Sequence, residues 1–335
     1  MSSDLAKRSW ASRMLAKIGD LFGIIVAAAN TWLGTMPPKV TGIVHGLAIA
    51  SLVSQIGIIV TGGAVRLTKS GLGCSHWPNC VPGSMTPVPE MGYHGLIEFG
   101  NRLLTFVLLA IAVAFLISIW NMRKSHPSIF KLAVVLLAGI PAQGVIGGIT
   151  VWTDLNPWVV SLHFILSGTL VCLATILVNR TRRELKHDIT PPTTKTIGQF
   201  ATAAWVLSML AVIMGTIVTG TGPHAGDATA PRHLFDPLLV TRMHTAPVYL
   251  LVLATVIVLV LAYRTGGNAK LRAASWWLVV VIALQAALGY IQHFTGLPIG
   301  LVLLHMLGAS LLMVASTNLW DRAARLPKSE RVEQH

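Results

Sequence analysis

Charge is scarce in this chain. Of 335 residues only 12 are acidic and 25 basic, a charged share of 11%, whereas a soluble domain carries about 25%. That shortage excludes an ordinary soluble domain. A hydrophobic share of 53% and a mean hydropathy of +0.68 exclude a disordered one. Cysteine is rarer still, and three of them cannot build a disulfide-rich secreted scaffold. What the sequence has in abundance is long apolar runs, at roughly 20 residues per bilayer crossing. It reads as an integral membrane protein.

Eight runs have the length and composition of transmembrane helices: 43–65, 97–120, 131–151, 157–179, 199–219, 240–262, 274–293 and 299–318. A shorter apolar run, Leu21–Leu33, follows the basic residues Lys7, Arg8, Arg13 and Lys17 and is expected to lie along the cytoplasmic surface. A cleaved signal peptide would need an unusually long basic region.

The net charge of +13 would suggest nucleic acid if the basic residues formed a patch. They do not. With the N-terminus inside, all basic residues except Arg66, Lys69, Arg102, Arg232 and Arg242 fall in inner segments. The positive-inside rule then puts both termini in the cytoplasm of a multi-pass cell-membrane protein, and no nucleic-acid partner is expected.

An internal repeat runs through the spans. Gln143, Gly147, Leu155 and His163 recur as Gln285, Gly289, Leu297 and His305, each 142 positions later. The first and fifth spans also share an Ile-Val-Thr-Gly ending, at 59–62 and 217–220. Two copies of four helices in the same orientation imply a pseudo-two-fold axis along the membrane normal. The expected fold is therefore all-α, with two pseudo-symmetric four-helix bundles at 40–180 and 199–320. An N-terminal segment (1–39), a cytoplasmic linker (181–198) and a cytoplasmic tail (321–335) flank them.

Histidines sit inside the repeat. His163 follows Pro157 by six residues and His305 follows Pro298 by seven, about 9–10 Å into their helices from the outer end. His244 enters its span to similar depth, and its repeat mate is Asn101. A lone membrane histidine is often only a hydrogen-bond donor between helices, but repeated placement favours ligation. Haem iron takes axial histidine, and bundle cores hold cofactors. Gly144, Gly147 and Gly148 allow close packing and leave room for a flat macrocycle.

The flanking residues carry a family resemblance. Gly62-Gly63-Ala64-Val65-Arg66-Leu67-Thr68, continuing through Ser70-Gly71-Leu72-Gly73-Cys74 to Trp77-Pro78-Asn79-Cys80, resembles the first outer loop of haem A synthases. Ile97-Glu98-Phe99-Gly100-Asn101-Arg102 is similar to the Glu-x-x-His-Arg motif of that family, and Val218 to Asp227 resembles its second outer loop. The resemblance spans about 40–320. It implies an enzyme that oxidises a ring methyl of haem O to a formyl group, giving haem A for terminal oxidases. The first bundle would hold the substrate, and the second a haem b on His244 and His305. His163 would be an axial ligand of the substrate haem, and Glu98 the catalytic glutamate.

Asn101 stands where the family has its other histidine, and an amide is a poor iron ligand. Three arrangements follow: His163 alone holds the iron, His94 or His76 swings in, or the first bundle has lost its activity. Glu98 lies one turn from Asn101; its plain reading is a first-turn acid favoured by the helix dipole.

Cys74 and Cys80 lie on the oxidising side and are expected to form a disulfide. A metal site using His76 between them lacks a fourth ligand. Among the outer arginines, Arg66, Arg102 and Arg242 are candidates for haem propionates, against the alternative that they snorkel to lipid headgroups. The resemblance of the second outer loop would have His224 close over the second haem. The expected partners are haem O, membrane lipid, a haem O synthase, an electron donor and a second copy of the chain. Two other classes compete. A di-haem b-type electron carrier leaves Glu98 without a role. A parallel-repeat transporter calls for charges near the midplane, whereas the polar candidates here cluster toward the outer face.

Overall fold

Proline and a short capping side chain fix where two histidine-bearing helices begin. Asn156 accepts from the Trp158 amide ahead of Pro157, and Asp236 accepts from the Leu239 amide ahead of Pro237. Each cap satisfies a free amide of the first turn, and proline at the first position loses nothing there.

The computed structural model describes residues 2–187, 193–265 and 269–323. Residues 188–192 of the expected linker and 324–335 of the expected tail lie outside the described residues. Nine helices follow in order: α1 (Ser2–Gly34), α2 (Gly42–Leu67), α3 (Gly92–Ser118), α4 (Pro127–Trp152), α5 (Pro157–Lys186), α6 (Lys195–Thr221), α7 (Pro237–Arg264), α8 (Ala269–Phe294) and α9 (Ile299–Ala323). All nine are long and apolar enough to cross a membrane, so the chain is a multi-pass membrane protein. Among the described residues there is no β-strand, only an isolated bridge between Val81 and Ser84.

The eight expected spans are α2–α9. The expected short surface helix at Leu21–Leu33 is instead the end of a continuous 33-residue helix, since nothing between Ser2 and Gly34 breaks it. Its apolar side chains, Phe22, Ile24 and Trp32 among them, are exposed. The Asn121 amide anchors its C-terminal end by donating to the carbonyls of Leu33, Gly34 and Met36.

Helices α2–α5 pack in a ring, α2 on α3 and α5, and α4 on α3 and α5. Helices α6–α9 form the same ring. Separate apolar cores fill the two bundles, around Phe115 and Leu136 in one and Leu251 and Leu278 in the other. The contacts between bundles obey the two-fold: α2 lies on α9 as α6 lies on α5, and α5 meets α9 at the axis. Asn179 and Asp321, which are 142 positions apart, bond to each other there at 3.1 Å, and Arg183 pairs with the same Asp321 carboxylate. Small residues let the bundles approach: a side chain at Gly63 would run into Met306, and one at Gly168 into Met313.

Candidate functional site

In the second bundle His244 on α7 and His305 on α9 stand on opposite corners of the ring. Their imidazole centroids are 6.5 Å apart with planes at 76°. His244 Nδ1 contacts the Ala211 carbonyl at 2.9 Å, which leaves its Nε2 for a ligand. On each of the other two helices a glycine faces one of the rings. A Cβ at Gly215 on α6 would lie 3.2 Å from the His244 ring, and one at Gly289 on α8 would lie 3.6 Å from the His305 ring. Two opposed imidazoles flanked by two glycines suit a flat macrocycle carrying an axially bound metal. The residues therefore fit a haem.

The first bundle repeats this plan with one substitution. His163 on α5 has Gly147 of α4 beside it, where a Cβ would be 3.4 Å from the ring. Asn101 on α3 has Gly62 of α2, at 3.9 Å. Thr61 donates to Asn101 Oδ1 at 2.7 Å. Asn101 thus takes the place that His244 holds in the second bundle. Of the alternative histidines, His94 Nδ1 contacts Ser70 Oγ at 2.9 Å and His76 Nδ1 contacts Ser75 Oγ at 2.9 Å.

These contacts correct one sequence match. Aligning the two Ile-Val-Thr-Gly endings pairs Gly62 with Gly220. In the structure Gly62 corresponds to Gly215, because these are the glycines that face Asn101 and His244; Gly220 packs against His233. The four-residue match is a coincidence of composition. The 142-residue offset is sound to the atom: Leu155 and Leu297 both have φ of 60°, and their amides donate to Thr150 and Gln292 respectively, each at 2.8 Å.

Glu98 is buried at 5% exposure and fully engaged. Its Oε2 accepts from the Cys74 amide at 2.7 Å, and its Oε1 accepts from Arg102 at 2.6 and 3.1 Å. Cys74 and Cys80 are disulfide-bonded. Arg102 also donates to the carbonyls of His76, Pro78 and Asn79, so the Glu98–Arg102 pair holds the whole disulfide loop. That loop delivers Trp77, which reading the sequence alone missed. Its ring presses on Gly148, next to the Gly147 that faces His163, and meets Trp152 edge-on at 5.3 Å. In sequence Trp77 stands out as part of the loop motif, and the Gly147-Gly148 pair is the hint of where it packs.

Arg66 bridges the halves by donating to the carbonyls of His224 and Thr219 at 2.6 and 3.1 Å. Arg242 is exposed, two residues before His244. His224 contacts the Leu297 carbonyl at 3.0 Å and so ties the α6–α7 loop to the α8–α9 turn. In the same loop the Thr229 amide holds the Asp227 carboxyl below its usual range. Burial against Trp158, with Arg66 nearby, pushes the His233 imidazole down.

Against known proteins, the family model described as COX15-CtaA, cytochrome oxidase assembly protein, matches residues 45–317. A heme A synthase of Listeria monocytogenes is 26% identical over 82% of this chain and 93% of its own. One of Shewanella oneidensis is 27% identical over 82% and 96%. One of Lysinibacillus sphaericus is 28% identical over 79% and 90%.

Proposed function

Since this chain belongs to the COX15-CtaA family of cytochrome oxidase assembly proteins, we propose that it is a haem A synthase, an oxidoreductase that converts haem O to haem A. The observation that supports this most is the doubled site: the same ring-and-glycine arrangement occurs in both bundles, with one histidine replaced by Asn101.

In the second bundle (199–320) His244 and His305 would hold haem b, and that group would supply one-electron chemistry. The first bundle (40–180) takes haem O as substrate on His163. Asn101 leaves the opposite face without a strong donor. Glu98, ion-paired with Arg102, is the catalytic carboxylate. It offers negative charge where the ring methyl loses electrons and protons. Arg242, exposed beside His244, would be the arginine to meet a haem propionate; Arg66 and Arg102, already bound to carbonyls, shape the outer rim. The protein lies in the cell membrane with both termini cytoplasmic, α1 resting at the inner surface. It receives substrate from haem O synthase, and a separate redox partner would take up the electrons that the ring methyl gives up.

The test is Glu98→Ala with haem O supplied. Retained haem with conversion lost is expected; undiminished conversion removes Glu98 from the mechanism. A di-haem b-type electron carrier is the second reading, and it requires that haem O never be converted.

A further inference from the structure

Seven buried side-chain polar atoms among the described residues have no hydrogen-bond partner. Four of them form two copies of one arrangement: Gln143 Oε1 with His163 Nδ1, and Gln285 Oε1 with His305 Nδ1. In each copy the glutamine donates its Nε2 to the carbonyl oxygen of that same histidine, at 3.1 Å both times. The carbonyl fixes the amide orientation, because only the nitrogen can face it. Each glutamine therefore keeps a spare acceptor, and the histidine it holds keeps a spare ring nitrogen.

Buried polar atoms are expensive to leave unpaired, and a chance packing fault would not recur 142 positions later. A metal-binding imidazole directs its second ring N–H to an acceptor, which fixes its orientation and strengthens it as a donor. His244 has that acceptor in the Ala211 carbonyl. His163 and His305 have none within the fold as it stands.

Building on the haem ligation proposed above, we propose that Gln143 and Gln285 are positioning residues for His163 and His305. The amide nitrogen of each holds the ligand's backbone, and its amide oxygen receives the Nδ1–H of the ligand ring when the other ring nitrogen is on iron. The space for this is built in. A Cβ at Gly308, one turn beyond His305, would collide with Gln285 Oε1 and lie 2.6 Å from its Cδ. Gln143 is steadied further by Ser167 Oγ at 2.9 Å. An acceptor on Nδ1–H makes the imidazole more electron-donating and favours ferric iron, so its loss raises the midpoint potential.

The experiment uses the full-length protein produced without haem O, so that only the resident haem of the second bundle is read. Gln285→Leu and Gly308→Ala are expected to keep that haem while raising its midpoint potential and altering its low-spin ferric resonance. Gln143→Leu is expected to leave both unchanged, and to shift the substrate-haem spectrum once haem O is supplied. If Gln285→Leu fails to fold, Gly308→Ala carries the test, because it displaces the amide without removing it. Retained haem with unaltered potential and resonance in these variants overturns the proposal. Absence of haem from the unsubstituted protein overturns the ligand assignment itself, a distinguishable result.

Discussion

The His244 imidazole stands 6.5 Å from that of His305, centroid to centroid, with the ring planes 76° apart. That separation is too long for a hydrogen bond between the rings and leaves space for one metal atom between them. No other histidine pair links opposite corners of a bundle among the described residues. In the first bundle the corner opposite His163 carries Asn101, the repeat counterpart of His244, and the differences expected between the two sites follow from this.

The glycines beside the histidines leave room for the imidazole rings, and a bulky side chain there would displace them. Gly289→Leu should therefore empty the second bundle and Gly147→Leu the first, each removing one haem and sparing the other. Haem content with reduced-minus-oxidised spectra checks this. Loss of both haems from either variant would mean that the substitution disrupts the fold and does not fill a local cradle.

Asn101 should leave the substrate iron open on one face. With haem O supplied, the first-bundle haem is expected to bind carbon monoxide when reduced. Asn101→His, which restores an imidazole at that corner, should abolish binding and give a six-coordinate low-spin spectrum. His94→Ala and His76→Ala should change nothing, because His163 alone is proposed to hold that iron. A carbon-monoxide-insensitive unsubstituted protein would show that another ligand reaches the iron.

Trp77 couples the disulfide loop to the first bundle. Its edge-on contact with Trp152 contributes about 1 kcal/mol beyond simple burial, and its ring covers Gly148. Trp77→Ala should let reductant reach the Cys74–Cys80 bond several-fold faster and weaken haem O retention, with the second-bundle haem unaffected; Trp77→Phe should restore most of both. Timed thiol labelling and haem analysis measure these effects. Unchanged reduction kinetics in Trp77→Ala would show that Glu98 and Arg102 alone hold the loop.

Much of this architecture was legible in the sequence because it is local or periodic. Apolar runs mark the eight spans, and the 142-residue repeat pairs His163 with His305. The start of α5 at Pro157 was legible, whereas α7 begins at Pro237 behind the Asp236 cap, three residues before the expected span. The unread parts depend on contacts between distant segments. Nothing near Arg66 shows that it would bind carbonyls more than 150 positions away, and nothing near Trp77 shows that it would rest on Gly148. A four-residue apolar match misaligned α2 with α6, since such strings recur by chance in membrane helices. The length of α1 escaped because polar residues before Leu21 hid a continuous helix from a hydropathy reading.

Extraction and chromatography of haems from the purified protein, made with and without co-expressed haem O synthase, tests the central claim most directly. Haem A and its hydroxylated precursor should appear only when haem O is supplied, with haem b present under both conditions. Recovery of haem b alone in both preparations would contradict haem A synthesis and leave a di-haem electron carrier.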